Sequence, residues 1–90
     1  MYEKAKSCYE KAIEINKNYT TAYYNLALTY EKLSKYDEAE INYTNTLNLK
    51  PNHEEALLGR GEILIKKGKS DKALKDFDKC NSKDSRSRAL

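Results

Sequence analysis

One histidine, two cysteines, a short glycine motif and two asparagine triplets are the parts of this chain that could do chemistry. His53 could serve as a general base, but no serine or cysteine nucleophile signature stands near it. Cys8 and Cys80 are far apart in sequence, and without a CxxC or a second histidine no zinc-ligand spacing exists. Both cysteines fall on helical stretches near apolar positions and read as small hydrophobes in a reducing compartment. Gly59-Arg60-Gly61 has neither the preceding strand nor the following Gly-Lys of a phosphate loop. Asn18-Tyr19-Thr20 and Asn42-Tyr43-Thr44 fit the glycosylation triplet, but no secretory signal precedes them and the packing pattern needs Tyr43. Eight tyrosines could stack on nucleic-acid bases, yet their regular spacing assigns them to packing. The expectation is a chain that is not an enzyme, with no catalytic residue, metal or cofactor, whose function resides in a surface.

Composition narrows the class further. Ninety residues make one small domain, with 34% charged and 39% apolar residues. No apolar run approaches the roughly 20 residues a membrane span needs, and the expected compartment is the cytoplasm. The net charge of +3 sits in residues 69–90, which hold seven Lys/Arg against four acids. Signs alternate there, as in Lys75-Asp76 and Asp78-Lys79, so a solvated helix face is expected and no nucleic-acid or membrane partner.

The elements that must position any surface repeat with a period of 34 residues. Ala39 falls on Ala5 and Ala73, and Tyr43 on Tyr9 and Phe77. Five helices are predicted: 2–16, 20–33, 36–49, 54–67 and 70–80. Their inward residues are expected to be Ala5, Tyr9, Ala12, Ile13 and Ile15; Tyr23, Leu26, Ala27 and Tyr30; Ala39, Tyr43, Leu47 and Leu49. The fourth helix carries Leu57, Gly61 and Leu64, with Ile65 off the packing stripe, and the fifth is expected to be buried through Ala73, Leu74, Phe77 and Cys80. Asn18 is the expected N-cap of the second helix, and Asn52-His53-Glu54-Glu55 reads as a capping box for the fourth. Pro51 should stop the third helix and Gly68 the fourth. Beyond Cys80 the pattern decays and fraying, or the first turn of a further helix, is expected.

These in-phase residues resemble the tetratricopeptide repeat family, whose pattern is Trp-x2-Leu-Gly-x2-Tyr on one helix and Ala-x3-Phe with Pro on the next. Residues 20–53 carry Tyr23, Leu26, Ala27, Tyr30, Ala39, Tyr43 and Pro51; residues 54–87 carry Leu57, Gly61, Leu64, Ala73, Phe77 and Cys80. Residues 1–19 match only the second helix of a repeat, and 88–90 would be a frayed tail or the start of another helix. Three departures stand out: Thr46 replaces the small residue seen at Ala12, Arg60 replaces Leu26, and Ser85 replaces Pro51. Thr46 is expected to bond back to a helix carbonyl, and Arg60 to lay its stem on the core edge with its head in solvent.

The resemblance implies an all-α solenoid of antiparallel helix pairs in a right-handed superhelix, with a concave groove that binds a protein or peptide partner. Carried onto this chain, the groove-facing positions are Thr21, Tyr24, Asn25, Leu28 and Glu31, then Glu55, Leu58, Gly59, Glu62 and Ile65. Some family members clamp the C-terminal carboxylate of heat-shock chaperones with an Asn at the position of Asn25 and a Lys and an Arg on the next repeat. Those two positions here are Glu55 and Gly59, so no such clamp is expected, and a basic or amphipathic helical ligand is favoured. The alternatives are a structural spacer, a segment self-associating through open ends, and a docking part of a larger enzyme. The uncovered first and last helices predict an excised fragment, marginally stable or self-associating.

Overall fold

A computed structural model describes residues 2–89, with side chains described through Cys80. Five helices follow one another: α1 (Tyr2–Ile15), α2 (Thr20–Lys32), α3 (Tyr36–Leu49), α4 (Glu54–Lys66) and α5 (Ser70–Ala89). Among the described residues there is no strand. Each helix packs on the next, most extensively α2 on α3 and α4 on α5, and α2 also touches α4 directly. Two hairpins thus stack side by side with their first helices adjacent, giving an all-α solenoid segment 44 × 28 × 18 Å in extent.

The stop signals act as the sequence predicts. Lys50, before Pro51, takes an extended backbone (φ −136°, ψ 90°) because the proline ring disfavours a helical residue ahead of it. Gly68 closes α4 at φ 78°, and Ser34 closes α2 in the same left-handed conformation at φ 61°. Both ends form the same pair of bonds. The Lys35 and Lys69 amides donate to the Tyr30 and Leu64 carbonyls at 2.9 and 2.7 Å, and the Ser34 and Gly68 amides to Glu31 and Ile65 at 2.9 and 3.0 Å. These are Schellman closures, and in one of them serine does what glycine does more easily.

Both predicted N-caps are displaced by one residue. The cap of α2 is Tyr19, without a side-chain bond, while the Asn18 amide donates to the Asn16 side chain at 3.1 Å. The cap of α4 is His53, not Asn52: its Nδ1 accepts the Ala56 amide at 3.1 Å, which places the ring proton on Nε2. The fifth helix does not end at Cys80. With serine where Pro51 stops α3, nothing in residues 81–89 breaks the backbone, and α5 continues to Ala89. Expectations for Leu90 lie outside the described residues.

The core is made by α2, α3 and α4: Ala27, Ala39, Tyr43, Leu47, Ala56, Leu57 and Ile63 form one buried cluster. Helix α2 is covered on two sides, so its buried stripe widens to Ala22 and Thr29, while Tyr23 and Tyr30 remain half-buried. Helix α1 is covered on one side and has no fully buried residue; Ile15, predicted inward, is 88% exposed. Leu74, also predicted inward, is 57% exposed because it sits off the seam its helix makes with its neighbour, and Ile65, expected off the packing stripe, is 50% exposed. Leu49 is half-buried.

Buried polar groups are satisfied locally or in pairs. The hydroxyls of Thr29 and Thr46 and the amide of Asn42 each donate to the carbonyl four residues back, all at 2.9 Å. Thr46, fully buried, therefore bonds back as its sequence position predicts. Arg60 departs from prediction. Its guanidinium turns inward and grips the buried Asp76 in a fork, Nε to Oδ2 at 2.8 Å and Nη2 to Oδ1 at 2.7 Å, and reaches the Thr44 hydroxyl at 3.2 Å. The fork satisfies a carboxylate that would otherwise be buried alone. Among the described residues no buried side-chain nitrogen or oxygen lacks a partner.

Candidate functional site

A helix presents positions four and seven apart on one side. On α2 this brings Tyr24, Leu28 and Glu31 into line, and on α4 Glu55, Leu58, Gly59 and Glu62. Because α2 and α4 lie side by side, the two rows face across an open concavity of about 230 Å³, with Lys32 and the Tyr43 edge completing the lining. Tyr43 comes from α3 beneath. It reaches the concavity because Gly59 has no side chain: a Cβ there would stand 2.5 Å from the Tyr43 ring carbon Cζ.

The aromatic groups interlock. Tyr24 lies with its ring centroid 6.0 Å from Tyr43 and 5.0 Å from His53. The Tyr43 hydroxyl donates to Glu31 Oε1 at 2.7 Å, fixing that carboxylate on the rigid face of α2. Burial, then the bond to Glu31 and its charge, push the Tyr43 phenol far above its ordinary value. Tyr24 is also raised, first by burial and then by the charges of Glu55, Glu31 and Glu62. The field inside the concavity is therefore negative, and two neutral phenols form its aromatic part. Glu55 stands 3.7 Å from His53.

Of the positions expected to face a groove, Tyr24, Leu28, Glu31, Glu55, Leu58, Gly59 and Glu62 come together here. Thr21, Asn25 and Ile65 do not line the concavity. Asn25 is half-buried, with its carbonyl accepting the Thr29 hydroxyl, and Thr21 and Ile65 are exposed. Lys32 and Tyr43 were not anticipated. Tyr43 reads as core and is 1% exposed; only Gly59, a mid-helix glycine without a turn to make, signals that something large lies against α4.

Helical hairpins stacked with their first helices lining a concave face define the α-solenoid class of repeat scaffold. Family models described as tetratricopeptide repeat match residues 8–41 and 54–82, and the chain belongs to that family. Anaphase-promoting complex subunit 3 of Schizosaccharomyces pombe is 29% identical over 86 residues, covering 96% of this chain and 13% of that protein. The chain thus spans a small part of that curated relative. Among solved structures, MamA superimposes with a TM-score of 0.91 at 30% identity, over 99% of this chain and 52% of its own. The second TPR of Spaghetti (RPAP3), bound to the HSP90 peptide SRMEEVD, gives 0.84 at 32% identity, over 88% of this chain and 73% of its own. The family mediates protein–protein interaction through a fold that is typically non-catalytic, and this chain carries that fold. Among the described residues no helix is long and apolar enough to cross a membrane.

Proposed function

We propose that this chain is a non-catalytic interaction module that holds a segment of a partner protein, basic or amphipathic in character, in the concavity between α2 and α4. The observation that carries the reading is the conjunction of apolar and acidic side chains there. Tyr24, Leu28 and Leu58 offer apolar area, Leu58 at 45% exposure, and three glutamates surround them. Apolar side chains left uncovered within a concave face mark a partner site more often than an idle surface. The units of binding are residues 20–53 and 54–87, each contributing its first helix, with 1–19 and 88–90 flanking them. The setting we favour for the chain is the cytoplasm.

Titrating a labelled amphipathic Leu/Lys peptide into the wild-type chain and into Leu58→Ser tests the reading. Leu58 has no core role, so its loss should weaken binding about fivefold without shifting Tm. Equal affinities for the two proteins would remove the concavity from the interface. A second reading, self-association through the ends, is favoured by Ile15 and Leu74 at 88% and 57% exposure. Sedimentation that stays monomeric as concentration rises would contradict it.

A further inference from the structure

Two sets of carboxylates in this molecule differ in how their charge is met. Those that hold the scaffold are paired with cations: Asp76 with Arg60 at 2.7 Å, and Asp37 and Glu40 with Lys67 at 2.6 Å each. The three that line the concavity are not. Glu31 meets the Tyr43 hydroxyl and Glu55 the ring of His53, and among the described residues none of Glu31, Glu55 and Glu62 has a Lys or Arg within ion-pair distance. Lys32 shares the lining without pairing with any of them. Glu31 is the best placed of the three. One of its oxygens is held by Tyr43 on a rigid helix, and the other has no donor among the described residues.

We infer that Glu31 and Glu62 are the specificity-determining residues of the concavity, recognising a lysine or arginine of the partner segment one helical turn from an apolar residue that packs on Leu28 and Leu58. This rests on the groove reading above and narrows it. Three uncompensated negative charges around an aromatic face favour a cation, and the Tyr24 ring adds attraction to one lying over it. A segment ending in carboxylates meets repulsion there, in contrast to the acidic SRMEEVD peptide held by the similar RPAP3 repeat unit. The turn spacing follows from the site: Leu28 and Glu31 lie on adjacent turns of α2, and Leu58 and Glu62 on adjacent turns of α4. A helical ligand with a basic and an apolar residue at the same spacing matches both rows.

The test uses the full chain and three probes: an 18-residue helical Leu/Lys peptide, the same peptide with every Lys replaced by Gln, and SRMEEVD. The protein variants are Glu31→Gln with Glu62→Gln, and Glu14→Gln on α1 as a control. Glutamine still accepts the Tyr43 hydroxyl, so the ring stays in place, and circular dichroism verifies the fold. The double variant should bind the Leu/Lys peptide about tenfold more weakly while its affinity for the Gln peptide is unchanged. Wild type should prefer the Leu/Lys peptide and show no saturable binding of SRMEEVD, and the control should match wild type. Equal weakening toward both helical peptides, or none, would overturn the assignment while leaving the groove reading intact. Failure of wild type to bind either helical peptide would overturn both.

Discussion

The hairpin α2–α3 and the hairpin α4–α5 have the same backbone plan and solve its packing differently. Where the first has Leu26 and Asn42, the second, 34 residues on, has Arg60 and Asp76. Leu26 is buried and the Asn42 amide bonds within its own helix; Arg60 and Asp76 form a fork between helices. Where the first has Tyr43 bonded to Glu31, the second has Phe77 and, at the position of Glu31, exposed Ile65. The hydroxyl and its acceptor are present together or absent together. The comparison shows that the repeat constrains pairs of positions. In both pairs of this chain the two members differ together between the hairpins.

The largest effect should come from splitting the fork. Arg60→Leu leaves Asp76, with a side chain 8% exposed, without its partner. Because Arg60 itself retains 25% exposure, the loss should fall at the lower end of that for broken buried pairs, about 3 kcal/mol by denaturant unfolding. Adding Asp76→Asn rebuilds the Leu26/Asn42 arrangement, and the double variant should recover most of the loss. A double variant as unstable as the single would show that the two hairpins are not interchangeable at this pair.

Crowding should cost somewhat less. A Cβ at Gly61 would meet the Phe77 ring at 2.6 Å, and Ala39 on α3 is fully buried in the core cluster. Gly61→Ala and Ala39→Leu should each lose about 1–3 kcal/mol, and an unchanged Tm in either would contradict the close helix approach.

The third contrast is Tyr43 against Phe77. Tyr43→Phe should cost about 1 kcal/mol at neutral pH. Its effect on the pH profile is more distinctive. The folded state keeps the Tyr43 proton well above the ordinary value of 10.0, whereas the unfolded chain releases it near that value. Unfolding therefore releases a proton in alkali, and stability falls as pH rises beyond about 10. Tyr43→Phe should flatten that alkaline slope, and an unchanged slope would mean that Tyr43 is not the group responsible.

The smallest effect is at the closures of α2 and α4. Ser34→Gly relieves a left-handed serine at φ 61° and should stabilise by about 0.5–1 kcal/mol, while Gly68→Ala at φ 78° should destabilise by a similar amount. Destabilisation by Ser34→Gly, or an unchanged stability in Gly68→Ala, would deny that the two closures are equivalent.

Helix number and most boundaries were legible because they follow from local signals, the period of 34, Pro51 and Gly68, whereas the end of α5 was not, since no stop signal stands in that last stretch. The N-caps were misplaced by one residue because His53 and Tyr19 are not residues whose type announces a cap. Arg60 was misread because its partner lies 16 residues away on another helix. The Asn42-to-Asp76 change was the available clue, and it has meaning only beside the Leu26-to-Arg60 change. Most of the concavity lining was legible only through the family resemblance, with Tyr24, Leu28 and Leu58 visible besides as apolar residues off the packing stripe. Tyr43 was not, since a side chain assigned to the core does not announce that its hydroxyl emerges on the far side.

Joint binding of a ligand by the first helices of the two hairpins, α2 and α4, can be mapped residue by residue. Amide chemical-shift mapping of the full chain during titration with the Leu/Lys peptide addresses it most directly. Saturable shifts should cluster at Tyr24, Leu28, Glu31, Leu58, Gly59 and Glu62, with α1 and the outer faces of α3 and α5 unmoved. Shifts concentrated on α1 or α5, or no saturable shifts at all, would contradict it.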